Sequence, residues 1–155
     1  MASFVFTNAK LLLSTGDLSF DGSESIYKLA LMGSDFFDIS DVASKTEWGD
    51  IKSTEIPTND VTKYTSKTLN GVQSTPKNDG SCIISADNIS YPISTISASY
   101  IVIVKSSVGS DDIIYDTDLL VTAIDIRIAG NPVTSNNGVF NINLSFSSGG
   151  FLIIK

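Results

Sequence analysis

The side chains that could do chemistry in this chain are carboxylates. Histidine is absent, Cys82 is the one cysteine and Arg127 the one arginine. Without imidazole there is no general base of the commonest kind, no Ser-His-Asp or Cys-His nucleophile system, and no zinc site built on histidine. A single thiol excludes both a thiolate cluster and an intrachain disulfide, and no Gly-rich phosphate loop ending in Lys-Ser/Thr is present. The densest carboxylate group is SDDIIYDTD, with Asp111, Asp112, Asp116 and Asp118. Oxygen ligands at such spacing suit calcium, but the loop glycine and terminal glutamate of an EF-hand are missing. The run is therefore expected to be a solvated turn holding no metal. Asp35, Asp50 and Glu55 offer carboxylates for a glycosidase pair. A chain of 155 residues leaves little wall for a sugar cleft, so the expectation is no enzyme, no catalytic residue and no cofactor.

Trp48, the single tryptophan, stands near Phe36 and Phe37. Such aromatics serve as a sugar-binding platform, as an interface anchor, or as packing for a long loop. The net charge of −7 disfavours nucleic acid, which needs clustered cations, and a lone arginine leaves almost no material for bidentate base readout. Cys82 sits in an apolar Cys-Ile-Ile context and reads as a small buried hydrophobe. There is no basic-then-apolar leader and no transmembrane-length run, so no membrane partner is expected and synthesis is expected in a cytoplasm.

The elements that must position these groups read mainly as strands. Tyr100 to Val104 are five apolar residues in a row, four of them β-branched, which predicts a central strand buried on both faces, from about Ser97 to Lys105. Ile26 to Met32 reads as an early core strand with Tyr27, Leu29 and Leu31 on one face and Lys28 on the other; Asp21-Gly22-Ser23 makes the turn before it. Further strands are expected at Tyr64 to Val72, Ser81 to Ser85 and Leu119 to Ile128, with Asp125 and Arg127 facing outward from the last. Pro92 should interrupt pairing after Ile89. Asn136-Asn137-Gly138 suits a type I′ hairpin turn, followed by strict alternation of Phe140, Ile142, Leu144 and Phe146. After Ser148-Gly149-Gly150, residues 151–154 close the chain as a strand.

Before these, Thr7 to Leu13 predicts a short helix capped by Thr7 or Asn8 and ended by Gly16. From Gly33 to Pro57 the periodicity fades into a long excursion with one or two short helical or extended pieces. The whole is expected to be mainly β: a single β-sandwich or jelly-roll-like domain over 1–155, with an N-terminal arm and short helix in 1–16 and an excursion over 33–60.

Several phrases, taken in order, resemble a family of small structural proteins from tailed bacteriophages. Phe6 to Leu13 resembles a phrase of the kind YNNAK, and Ile26 to Leu31 one of the kind IKVAL. Trp48, Glu55 and Tyr64 to Leu69 follow the order of a bulky residue, an acidic residue and a GYT-GGKTL phrase. Ser85 to Tyr91 and Ser94 to Lys105 are similar to DADDVTW…STITARGAVIYK, and Ser135 to Leu152 to SNNGTFTIQWSSGGIL. Departures are Pro92, the Ser99-Tyr100 pair where glycine is common, and Phe146 where tryptophan is usual.

The resemblance implies a non-enzymatic virion component, made in a bacterial host cytoplasm. Its expected place is a capsid decoration, cement or minor head protein; alternatives are a tail, neck or fibre-base protein, and a carbohydrate-binding module. Expected partners are the major capsid protein or other virion proteins and further copies of the chain, a trimer by preference. Phe4, Val5 and Phe6, with Phe36, Phe37 and Trp48 in the excursion, are the expected contact residues, being apolar and outside the regular strands.

Overall fold

The computed structural model describes residues 3–21, 25–107, 109 and 111–154; the Gly22-Ser23 half of the turn expected before Ile26 lies outside them. In chain order the elements are β1 (Phe4–Val5), α1 (Thr7–Thr15), β2 (Ile26–Met32), β3 (Lys67–Thr68), β4 (Gln73–Pro76), β5 (Cys82–Ser85), β6 (Ile89–Ser94), β7 (Ser97–Ala98), β8 (Tyr100–Ser106), β9 (Leu119–Asp125), β10 (Val133–Thr134), β11 (Gly138–Ile142) and β12 (Leu152–Ile154). The chain is mainly β with one short helix, as its pattern predicts. Among the described residues no helix is long and apolar enough to cross a membrane.

The framework is a five-stranded sheet in the order β1-β9-β8-β2-β3. The apolar run of β8 is its centre, antiparallel to β2 from Ile26↔Ser106 to Met32↔Tyr100 and to β9 on the other side. Tyr100 to Val104 are all buried, the two-faced burial that an uninterrupted β-branched run predicts. Residues directly opposite share a face, so Lys28, Ala30 and Met32 lie with Val104, Val102 and Tyr100, and Tyr27, Leu29 and Leu31 with Lys105, Ile103 and Ile101. The second face meets the smaller ladders: Phe20 bridges the Tyr27 and Phe151 rings at 5.0 and 6.3 Å, and Ile101 shares a cavity lining with Phe140 and Leu144. The first face receives the excursion, with the Phe36 and Phe37 rings 5.2 and 4.5 Å from Tyr100. Lys28, on the face opposite Tyr27 as alternation predicts, is buried, because the excursion and the acidic run roof that face.

The smaller ladders are β12-β5-β4, β10-β7 and β11-β6. The turn after Pro76, with Gly80 at φ +83°, joins β4 to β5. Pro92 does not end β6; the strand runs through it, and the register to β11 shifts between Gly138 and Phe140, which absorbs the missing donor. Asn137 takes the expected positive φ of 48°, but the turn is no hairpin. It carries the chain from the β10-β7 ladder to the β11-β6 ladder, with Ser135 Oγ accepting from Ile96 N at 3.1 Å.

Other boundaries move for local reasons. α1 begins directly after β1, and its N-cap is Phe6, whose N–H bonds the Val121 carbonyl at 3.1 Å. Thr7 and Asn8 thus lie inside the first turn and do not cap it, while Gly16 at φ +80° ends the helix as expected. Of Tyr64 to Val72 only Lys67–Thr68 pairs, since Tyr64 turns into the core. β9 stops at Asp125, whose carboxylate bonds Arg127 N–H and holds its guanidinium through two contacts of 3.0 and 2.7 Å, half-buried against Tyr100 rather than outward. The alternation after Phe140 pairs only to Ile142; Leu144 stays buried, and Phe146 opens a 3-10 turn and is exposed. The excursion folds as four 3-10 turns, at Ser34–Asp38, Val42–Ser44, Trp48–Asp50 and Lys52–Thr54.

Candidate functional site

The acidic run is tied down carboxylate by carboxylate. Asp111 Oδ1 accepts from Lys28 Nζ at 3.1 Å, and its other oxygen accepts from the Tyr115 hydroxyl. Lys28 also donates to the Ile113 carbonyl. Asp112 Oδ1 accepts from Thr68 N at 2.7 Å, with Lys67 Nζ 3.4 Å from Oδ2. Asp116 pairs with Lys52 at 2.8 Å. Asp118, fully buried, accepts from the Ser106 hydroxyl and from the Ser107 and Tyr115 N–H groups. The run is thus a largely exposed turn, as expected, but one whose carboxylates each serve a neighbouring segment, with Asp118 alone buried. Among the described residues no grouping of three or more His, Cys, Asp or Glu side chains is placed to hold a metal ion.

The same contacts build a cleft. Residues Thr46 to Gly49 run against 116–120: Trp48 N donates to Asp118 O at 2.8 Å, Gly49 N to Asp116 O at 2.9 Å, and Leu120 N to Thr46 O. Position 49 is tight, since a Cβ there would stand 3.2 Å from the Asp116 carbonyl oxygen. Glu55 is fixed beside the end of β2 by its bridge to Met32 and by the Ile56 N–H to Leu31 O bond. From the other side, Ser66 Oγ donates to the Asp112 carbonyl and Tyr91 OH to the Thr65 carbonyl. Trp48, Glu55, Thr65, Ser66, Asp112 and Ile113 thereby line one open cleft of about 440 Å³.

Its two carboxylates differ. Burial pushes the Glu55 carboxyl above its ordinary range, although the Tyr64 hydroxyl, donating to Oε1 at 2.9 Å, works the other way. Burial also acts to raise Asp112, but the Thr68 N–H and the Lys67 ammonium outweigh it, and this carboxyl sits below the usual value. Tyr64 is itself held by accepting from Leu31 N at 2.8 Å, where β2 has run past its β3 partner. The cleft thus presents carboxylates, hydroxyls and an apolar wall.

Of the contact residues expected from the sequence, Phe6, Phe36 and Trp48 are buried within the chain, and Phe4, Val5 and Phe37 are half-buried against the core. Five are near neighbours: Phe4 lies 5.0, 6.5 and 5.9 Å from the rings of Phe6, Phe36 and Phe37, and Val5 follows it in β1. Trp48 lines the cleft instead. Of the three scattered carboxylates, Glu55 lines it too; Asp50 is spent on the Thr46 and Glu47 N–H groups, and Asp35 lies in the first 3-10 turn. Cys82 is half-buried at the start of β5. Reading by pattern missed the partnership of Lys28 with the acidic run. The signal was there: a single ammonium in an otherwise apolar strand demands a counter-charge from elsewhere in the fold. No protein-family model, no curated protein and no solved structure matches this chain.

Proposed function

We propose that the chain is a non-enzymatic structural protein of a tailed-phage virion: a capsid decoration, cement or minor head protein that adds contacts on the shell. The observation that carries this reading is the order of the resembling phrases along nearly the whole chain. They coincide with framework elements: the first spans the start of α1, the second lies in β2, the third ends across β3, the fourth covers β6 to β8, and the last runs from before β11 into β12. A likeness seated in a buried framework speaks for a shared scaffold rather than a shared reactive site.

The surface suits such a role in one place. Ile93 and Val139 both fall within the β6–β11 register shift, with 64% and 59% of their surface exposed. Scattered apolar side chains are ordinary on any surface, but neighbours on adjacent strands form a small contact patch. Repeated copies would multiply a weak contact, since each additional interface raises the cost of leaving the shell. The major capsid protein and further copies of the chain, as a trimer, are the proposed partners.

Quantitative mass spectrometry of purified particles tests this. A copy number comparable to that of the major capsid protein is expected. A small fraction of it moves the protein to tail, neck or fibre base, and absence from particles overturns the reading.

A further inference from the structure

We propose that the cleft between Trp48, Glu55 and Asp112 receives a cationic side chain, lysine or arginine, from a partner protein. The contrast among neighbouring carboxylates carries the argument. Asp111, Asp112 and Asp116 each have an ammonium of this chain within 3.4 Å, from Lys28, Lys67 and Lys52. Glu55 has no ion-pair partner among the described residues, although it is half-buried and the cleft opens beside it. One of its oxygens takes the Tyr64 hydroxyl, a neutral donor. A carboxylate drawn out of water without a counter-charge is costly, and a cation entering from outside removes that cost.

The walls favour a side chain over other cations and over a sugar. Ile113, 56% exposed, offers apolar surface for the methylene stem of lysine or arginine, whose charged head would reach the carboxylates. A hard divalent ion would need several oxygen ligands converging at one point, and no such grouping exists among the described residues. A glycan would need an aromatic face to stack on, yet Trp48 is only 3% exposed. The net charge of −7 would steer a basic surface toward the molecule. This inference does not rest on the virion reading, and it stands or falls on the cleft alone.

The test uses the intact chain, N-acetyl-arginine amide and N-acetyl-lysine amide as probes, and two readouts: emission of the single tryptophan and the amide resonances of Thr65 and Ser66. Saturable changes are expected, weakened by salt and by acidification. Glu55→Gln keeps an acceptor for Tyr64 and should weaken binding at least tenfold without lowering the melting temperature. No response, an undiminished response in Glu55→Gln, or an equal response to N-acetyl-glutamine amide or to a neutral disaccharide would overturn the proposal.

Discussion

Lys28, with no exposed side-chain surface, lies 3.1 Å from the carboxylate of Asp111, which is 46% exposed and 83 residues away in sequence. The buried partner makes the contact obligatory. An ammonium inside a sheet must find its acceptors there, and Lys28 finds Asp111, the Ile113 carbonyl and the Tyr115 ring at 5.4 Å. One charge in β2 thus dictates where the acidic run lies.

The pH response of Asp111→Asn follows from this pair. The bond from Lys28 is the largest of the influences holding the Asp111 carboxyl below its ordinary value. A carboxyl whose folded pKa is depressed contributes stability present above its unfolded pKa and lost as pH falls through the folded one. The variant should therefore melt lower than the native protein near neutral pH, and the two melting curves should converge on acidification below the carboxylate range. A gap that persists in acid would mean that the contact is not ionic.

Two aspartates only two positions apart should behave oppositely. Asp118→Ala removes a buried carboxylate that accepts from the Ser106 hydroxyl and from the Ser107 and Tyr115 N–H groups, so a loss of about 2–4 kcal/mol is expected in urea unfolding. Asp116 is 65% exposed and its partner Lys52 50%. Asp116→Ala should change stability by no more than about 0.5 kcal/mol. Equal losses would show that the run acts as one charged unit rather than through separate fastenings.

What was legible in the sequence is what local pattern decides. The β8 run, the β2 strand, the helix ended by Gly16 and the β4–β5 turn can be read from branching, alternation and turn residues. Lys28 lies on the face that alternation assigns it, but alternation does not say what covers that face. The cover comes from residues 33–57 and 111–118, which have no period of their own and are ordered by contacts distant in sequence. Phe6, Phe36 and Trp48 were legible as apolar but not as buried, for the same reason. The cleft joins Trp48, Glu55 and Asp112 from segments whose association no local pattern encodes.

Glu55→Gln should reshape the stability profile in the opposite sense to Asp111→Asn. Burial raises the folded-state carboxyl of Glu55 above its unfolded value, so in the native protein stability is fully present below the unfolded pKa and falls as pH rises through the folded one. Glutamine keeps the acceptor for Tyr64 and has no proton to lose. Urea unfolding across the pH range should find the variant at least as stable as the native protein at neutral pH, with its advantage shrinking in acid. A variant less stable at neutral pH would mean that the carboxylate already has a counter-charge.

The Gly149-Gly150 pair separates backbone strain from steric overlap. Both residues hold positive φ, +99° and +65°, where an L side chain costs about 1–2 kcal/mol. A Cβ at 149 would meet open space, so Gly149→Ala should cost only that strain. At 150 it would collide with the Ile84 carbonyl, the acceptor of the Phe151 N–H at 2.8 Å, and with the Ile83 side chain. These contacts start the pairing of β12 with β5 from Leu152↔Ile84 onward. Strain and overlap together should cost Gly150→Ala about 2–5 kcal/mol. Amide exchange should localise the damage, with protection of Ile153 and Ile154 lost while that of β8 survives. Similar losses in the two variants would place the constraint in the turn itself and not in the docking of β12.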